Sequence, residues 1–189
     1  MGRIIVTEFI TLDGVIEAPG GDGDFPRGGW AFAVSRGDDG DAFKLEETRD
    51  SAALLLGRRT YEGFAAAWPS REGEFADKFN GMPKYVVSST LSDPEWTNTT
   101  VLEGDVAEAV ARVRDQVDGD IVVHGSAQLV RTLLDADLVD ELRLMVFPLV
   151  LGAGKRLFGP TGDTKALTLA STRAVGDGVT INVYTPAAA

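Results

Sequence analysis

The stretch LLLGRRTYEGF, Leu54–Phe64, decides how this chain is read. Its leucines follow two alanines and end at a glycine, which marks Ala53–Gly57 as a short buried strand. Arg58–Trp68 then reads as a helix, stopped by Pro69. A strand passing directly into a helix is half of a parallel β-α-β unit. The junction also carries two adjacent arginines, in a chain with 29 acidic against 18 basic residues and a net charge of −11. Basic residues placed singly in so acidic a sequence call for a local anionic partner.

A second junction of this kind is VVHGSAQ, Val122–Gln128, where the strand Asp120–His124 ends and the helix Ala127–Asp135 starts at Gly125–Ser126. The first turn of a helix offers unpaired N–H groups and the positive end of the dipole, which together favour phosphate. Glycine lets the backbone approach a ligand closely, and it equally serves a tight turn. Two such junctions on one sheet could cradle a pyrophosphate between them. A third strand, Lys84–Ser88, runs into the hydroxyls Ser88, Ser89 and Thr90, placed where ligands bind in open α/β sheets, or where a turn forms.

Outward from these junctions the order is regular. Arg3–Ile10 reads as a β-branched first strand, followed by a glycine- and aspartate-rich loop over Thr11–Gly40. A loop of that length in a compact domain usually has a function, and a lid over a site is expected. Asp41–Ala52 is predicted as a helix capped by Asp38 or Asp39, with Lys44, Glu46, Glu47 and Arg49 on its wet side. After Lys84–Ser88 come a short strand, Thr99–Glu103, and a helix, Val106–Val117, capped by Asp105. Beyond Leu138 the segments ELRLMVFPLVLG, LTLASTRAV and GVTINVYTP are all strand-like, which predicts an antiparallel edge on a mainly parallel sheet. The tail Pro186–Ala189 is expected to fray. The whole chain, 1–189, reads as one domain.

Composition excludes several functions. A net charge of −11 argues against general nucleic-acid or anionic-membrane binding. With no cysteine and one histidine, His124, there is no disulfide, no thiolate chemistry and no zinc site of the usual Cys/His type. No apolar run approaches a membrane span, and the first residues have no signal-peptide pattern, so a cytoplasmic protein acting on a small molecule is expected. G-x-G-x-x-G and G-x-S-x-G are both missing. GAGKR, Gly152–Arg156, lacks the Ser/Thr that follows a P-loop lysine.

ITLDGVI (Ile10–Ile16), LLLGRRTYEGF, KYVVSSTL, IVVHGSAQLVRTLL (Ile121–Leu134) and VDELRLMVFPLVLGAGKRLF (Val139–Phe158) together resemble the dihydrofolate reductase-like superfamily, in the branch of the riboflavin-biosynthesis reductase domain. The resemblance implies an α/β fold with a mainly parallel central sheet of about eight strands flanked by helices, and an NADPH-dependent reductase. It places Gly57, Arg58, Arg59 and Thr60 on one side of the pyrophosphate and Gly125, Ser126, Ala127 and Gln128 on the other. Ser88, Ser89 and Thr90 fall at the 2′-phosphate. The family often has two glycines where this chain has His124–Gly125. Folate reductases carry an acid on the first helix, and Asp41 stands at comparable spacing, with Asp38, Asp39 and Glu46 as alternatives. Asp13 and Trp30 are further pocket candidates. A non-catalytic NADP(H)-binding module is the alternative reading. The apolar run Phe147–Leu151, interrupted by Pro148, is expected at the contact of a homodimer.

Overall fold

The computed structural model describes residues 1–21 and 23–187. Eight strands form one sheet: β1 (Arg3–Thr11), β2 (Ser51–Gly57), β3 (Lys84–Val87), β4 (Thr99–Leu102), β5 (Asp120–Val123), β6 (Glu141–Phe147), β7 (Leu167–Val175) and β8 (Val179–Pro186). Their spatial order is β4-β3-β2-β5-β1-β6-β8-β7. The first six are parallel to one another, while β8 runs antiparallel to both β6 and β7. The predicted architecture holds, including the antiparallel edge.

Among the described residues the helices are α1 (Gly37–Asp50), α2 (Arg58–Ala67), α3 (Glu74–Gly81), α4 (Val106–Gln116) and α5 (Ala127–Asp135), with one 3₁₀ turn at Trp30–Phe32. On one face, Ile4, Val6, Ile10, Leu55, Val123 and Leu144 join α4 and α5 residues in the main apolar core. On the other, α1 covers β1 and β6, and a separate cluster of Leu54, Leu56, Tyr61, Phe79, Val86 and Trp96 lies under α2 and α3. Central strands buried on both faces are why β2 and β5 read as near-continuous apolar runs.

Two helices differ from expectation. The predicted helix Asp41–Ala52 begins earlier, at Gly37, and neither Asp38 nor Asp39 caps it, for both lie within its first turn and the N-cap is Arg36. Its orientation also differs. Lys44 and Glu47 face the sheet and are buried, while Glu46 and Arg49 are exposed. Helix α3 was not predicted; Phe75 and Phe79, one turn apart, hold it against Trp68 with ring centroids 5.2 and 4.7 Å away. Asp105 does cap α4, accepting from the Glu108 N–H at 3.0 Å.

The apolar run late in the chain is not an open edge. Strand β6 lies between β1 and β8, and Pro148 merely ends it. Phe147 is fully buried within its own chain, edge-on to Phe9 at 5.5 Å and to Trp30 at 5.4 Å. Phe147 itself thus offers no surface to a partner, whereas Val150 in the same run is 71% exposed. The free edges are β4 and β7, and β7 is exposed along all of its length except Val175. At the C-terminus, Pro186 still pairs with Leu167 and the Ala187 N–H donates to Ala166 O at 3.0 Å, so the expected fraying does not extend to them; Ala188 and Ala189 lie outside the described residues.

The long loop is anchored at its start. Leu12 N–H donates to Leu149 O, Ile16 N–H to Lys155 O and Leu157 N–H to Gly14 O, at 2.9, 2.9 and 3.0 Å. Trp30 Nε1 donates to Glu17 O at 2.8 Å. The segment GAGKR, with its neighbours, is therefore the partner that pins the loop.

Candidate functional site

Strands β2 and β5 are adjacent, with Leu55 in register with Val123, so their C-terminal ends deliver Gly57 and Gly125 side by side. One serine joins them. Ser126 Oγ accepts from the Gly57 N–H at 2.9 Å and donates to His124 O at 2.9 Å, while the Ser126 N–H donates to Thr60 Oγ1 at 3.0 Å. Gly57, Thr60, Gly125 and Ser126 thus form a single doubled turn. Gly125 has φ of +56° and Ser126 of +52°. The pair of left-handed residues falls one position later than the His124–Gly125 pair matched to two glycines in the family. At Gly125 a side chain is also barred by space, since a Cβ would lie 2.9 Å from Thr60 Oγ1.

The electrostatics of this end of the sheet are distinctive. Helices α2 and α5 have no side-chain cap and no acid in the first turn. Each of the other three α-helices carries acids there: Asp38 and Asp39 in α1, Glu74 and Asp77 in α3, Glu108 in α4. In so acidic a chain, the two adjoining N-termini are thus the ones kept clear of negative charge. Their N–H groups and dipoles suit a diphosphate. This is the observation by which NADPH fits the residues present.

The remaining cofactor candidates surround the doubled turn. Arg58 is exposed and paired with Glu62 at 2.9 Å, one helical turn on. Arg59 is exposed and, among the described residues, has no hydrogen-bond or ion-pair partner, although its field reaches Glu17. Ala127 and Gln128 open α5, with Gln128 exposed. Gly57 is in register with Val87, which puts Ser88 next to Arg58. Ser88 Oγ accepts from the Thr90 and Leu91 N–H groups at 3.1 and 3.0 Å, and so shapes the turn on which Ser89 and Thr90 are exposed.

The three catalytic candidates do not converge. Asp41 points away from the sheet, its side chain 62% exposed and bound by Arg36 Nε at 2.5 Å. Asp13 accepts from Thr11 Oγ1 at 2.7 Å and from the N–H groups of Leu151 and Gly152 at 3.1 and 2.8 Å. The Thr11 hydroxyl, aided by those amides, lowers its pKa to about 2, so Asp13 is an ionised clamp between two loops. Trp30 is 4% exposed and anchors the loop on Phe147.

The groups that sequence reasoning missed lie beneath. On the α1 face, Lys44 Nζ donates to Thr7 Oγ1 at 2.8 Å and to Glu47, which also accepts from Thr7 Oγ1 at 3.0 Å and from Arg143 at 3.3 Å. Burial pushes the Glu47 carboxyl up, but Lys44 and Arg143 outweigh it and the net shift is downward. His124 packs 5.4 Å from Phe79, and burial, reinforced by Lys44, lowers its pKa to about 3, so the imidazole is neutral. On the opposite face Glu8 is 5% exposed, and its Oε1 has no hydrogen-bond partner. The one signal available in the sequence was a carboxylate inside the apolar run of β1. A cleft of about 410 Å³ between Leu134, Leu142, Leu167 and Tyr184 opens at the other end of the strands, away from the doubled turn.

The mainly parallel eight-stranded sheet with its antiparallel edge is the architecture of the dihydrofolate reductase-like class of α/β protein. The chain belongs to the RibD C-terminal domain family, whose model matches residues 3–181. It is 29% identical over 187 residues to the uncharacterized protein YyaP of Bacillus subtilis, covering 96% of this chain and 94% of that one. YwjB of the same organism, also uncharacterized, is 25% identical over 173 residues, 92% of each. Among solved structures, a Shewanella protein provisionally assigned to riboflavin biosynthesis superposes with a TM-score of 0.76 at 20% identity, covering 98% of this chain and 99% of that one. A pyrimidine reductase-like protein of Corynebacterium diphtheriae gives 0.63 at 15%, covering 99% and 92%. At these identities the structural likeness is one of fold.

Proposed function

We propose that the protein is an NADPH-dependent reductase that transfers hydride to a C=N or C=O group of a small heterocyclic or sugar-linked substrate. The observation that carries this reading is the contrast among helix N-termini: α2 and α5, bound to each other through Ser126, have no acid in the first turn, where each of the other α-helices does. NADPH supplies the hydride. The chain's own residues bind and orient it: the first-turn amides of both helices and Thr60 at the diphosphate, Arg59 and Arg58 at its phosphate oxygens, and Ser89 and Thr90 toward the 2′-phosphate. Arginine serves there because its planar fork stays charged and matches phosphate geometry. A cytoplasmic setting, where reduced nicotinamide is available, accords with this reading. A homodimer would bury the exposed part of Phe147–Leu151, where Val150 is 71% exposed, and leave the doubled turn outside the contact.

Calorimetric titration with NADPH and NADH tests the reading. Tighter binding of NADPH is expected, and Arg59→Ala should weaken it about tenfold or more, since one charge-assisted phosphate contact is worth about 1.5–3 kcal/mol. Equal affinities would remove the 2′-phosphate assignment. Binding without NADPH oxidation across a panel of pyrimidine and pterin substrates would favour the non-catalytic module instead.

A further inference from the structure

Buried polar atoms in native proteins are almost always hydrogen-bonded, so an exception asks for a reason. Among the described residues the exception is Glu8 Oε1. Its position gives the reason. Val6 of β1 is in register with Val123 of β5, and two residues further along each strand come Glu8 and Gly125. The Gly125 N–H lies close enough to influence the Glu8 carboxyl, though no hydrogen bond of normal geometry joins them. Glu8 therefore sits directly under the left-handed turn that joins the two helix N-termini.

Its surroundings are apolar on its own face of the sheet. Val6 and Ile10 flank it along β1, and Leu144 is its partner on β6. Thr7 turns to α1 and is held by Lys44 and Glu47, so Glu8, by the alternation of a strand, turns to the α5 side. Lys44 and Glu47 are the charged groups whose fields reach it, and they act in opposite directions. His124, beside the turn, is neutral. No basic group on Glu8's own face stabilises an anion there among the residues that act on it.

Building on the cofactor reading above, we propose that Glu8 is a positioning residue of the anion cradle: buried and incompletely paired directly beneath the Gly125–Ser126 turn, it acts on the turn through the field of its carboxyl, and its own charge state governs how well the cradle takes an anion. As a neutral acid it supplies an acceptor without adding negative charge below the diphosphate. Ionised, it would oppose the dipole of α5 at the point where the ligand binds. Burial, the dominant influence, raises its pKa well above the usual 4.5 against the weaker pull of the Gly125 N–H and Lys44, which keeps the neutral form.

The test measures NADPH affinity by fluorescence across the whole pH range over which the protein stays folded, for the native protein, Glu8→Gln and Glu8→Leu. The native protein should lose about tenfold in affinity as Glu8 ionises. Glu8→Gln, which keeps an acceptor and never ionises, should match native affinity at the acid end of that range and lack that loss. The ligand's own titration is common to both, so their difference belongs to Glu8. Glu8→Leu, without an acceptor, should bind about fivefold more weakly throughout. Parallel pH profiles for the native and Gln proteins would overturn the proposal. A second readout needs no ligand: in the free protein the Gly125 amide resonance should follow the Glu8 carboxyl titration and stay fixed in Glu8→Gln. If NADPH fails to bind, the cofactor reading falls while this measurement still decides the role of Glu8, and an amide that ignores Glu8 refutes it.

Discussion

The two faces of β1 bury carboxylates one strand apart and solve the problem in opposite ways. On the α1 face, Glu47 is surrounded by Lys44, Thr7 and Arg143 and stays ionised. On the α5 face, Glu8 is buried with its Oε1 unpartnered and is driven toward its neutral form. The difference lies in the number of donors supplied. Desolvation is severe on both sides, and a buried charge persists only where partners replace water.

The largest way to break the comparison is to remove Glu47. Glu47→Leu leaves Lys44 and Arg143 without their shared carboxylate, and a loss of about 3–5 kcal/mol is expected in urea denaturation. Adding Lys44→Met should recover much of it, because Arg143 still has Glu141 at 2.5 Å and Asp120 at 3.6 Å. An uncorrected loss in the double variant would show that packing, and not charge, sets the cost.

The next effect comes from His124, which lies beside both regions. Its folded pKa, about 3, is below the unfolded 6.5, so the unfolded state takes up its proton first as pH falls. Stability should drop by roughly 1.4 kcal/mol per pH unit from this group between those values. His124→Asn should flatten that limb of the profile. Glu8 contributes with the opposite sign: its folded pKa is raised, so the folded state holds the proton longer, and stability falls as pH rises above 4.5 until Glu8 ionises. Glu8→Gln should equal the native protein near pH 4 and exceed it at pH 8 in thermal denaturation.

Asp13 sharpens the contrast with the smallest change. Its carboxylate has as many donors as Glu47 but lies near the surface. Its lowered pKa contributes stability above 3.8 that disappears as pH falls through about 2. Asp13→Asn should lack this acid limb, being less stable than the native protein at pH 7 and converging with it as pH falls through about 2, and it should speed hydrogen exchange at the Leu151 and Gly152 amides. Unchanged exchange would mean that the backbone bonds alone hold the clamp.

What could be read from the sequence was local. The limits of α5 and β7 coincide with those predicted, because Ser126 and an apolar stripe mark the one and turn residues the other. The two strand–glycine–helix junctions were visible for the same reason. Long-range chemistry was not. Helix α1, GDDGDAFKLEETRD, has no apolar stripe to show which side is buried, and Lys44 and Glu47 face inward because Thr7 and Arg143 meet them there. Arg143 is 96 positions from Glu47. Helix α3 depends on Trp68 in the same way, and Asp41 looked catalytic by spacing while its side chain turns to Arg36.

The anchoring of the long loop has a consequence for how the chain tolerates change. Gly29 N–H donates to Ala18 O at 2.9 Å, and residues 12–17 are already fixed to the segment after β6. The excursion between Ala18 and Gly29 therefore leaves and returns at one point, like a detachable cassette. Doubling the length of such a closed segment costs only about 0.6 kcal/mol. Insertions, deletions or wholesale replacement there should leave the sheet and the doubled turn intact, which makes this segment the natural place to graft new recognition sequences.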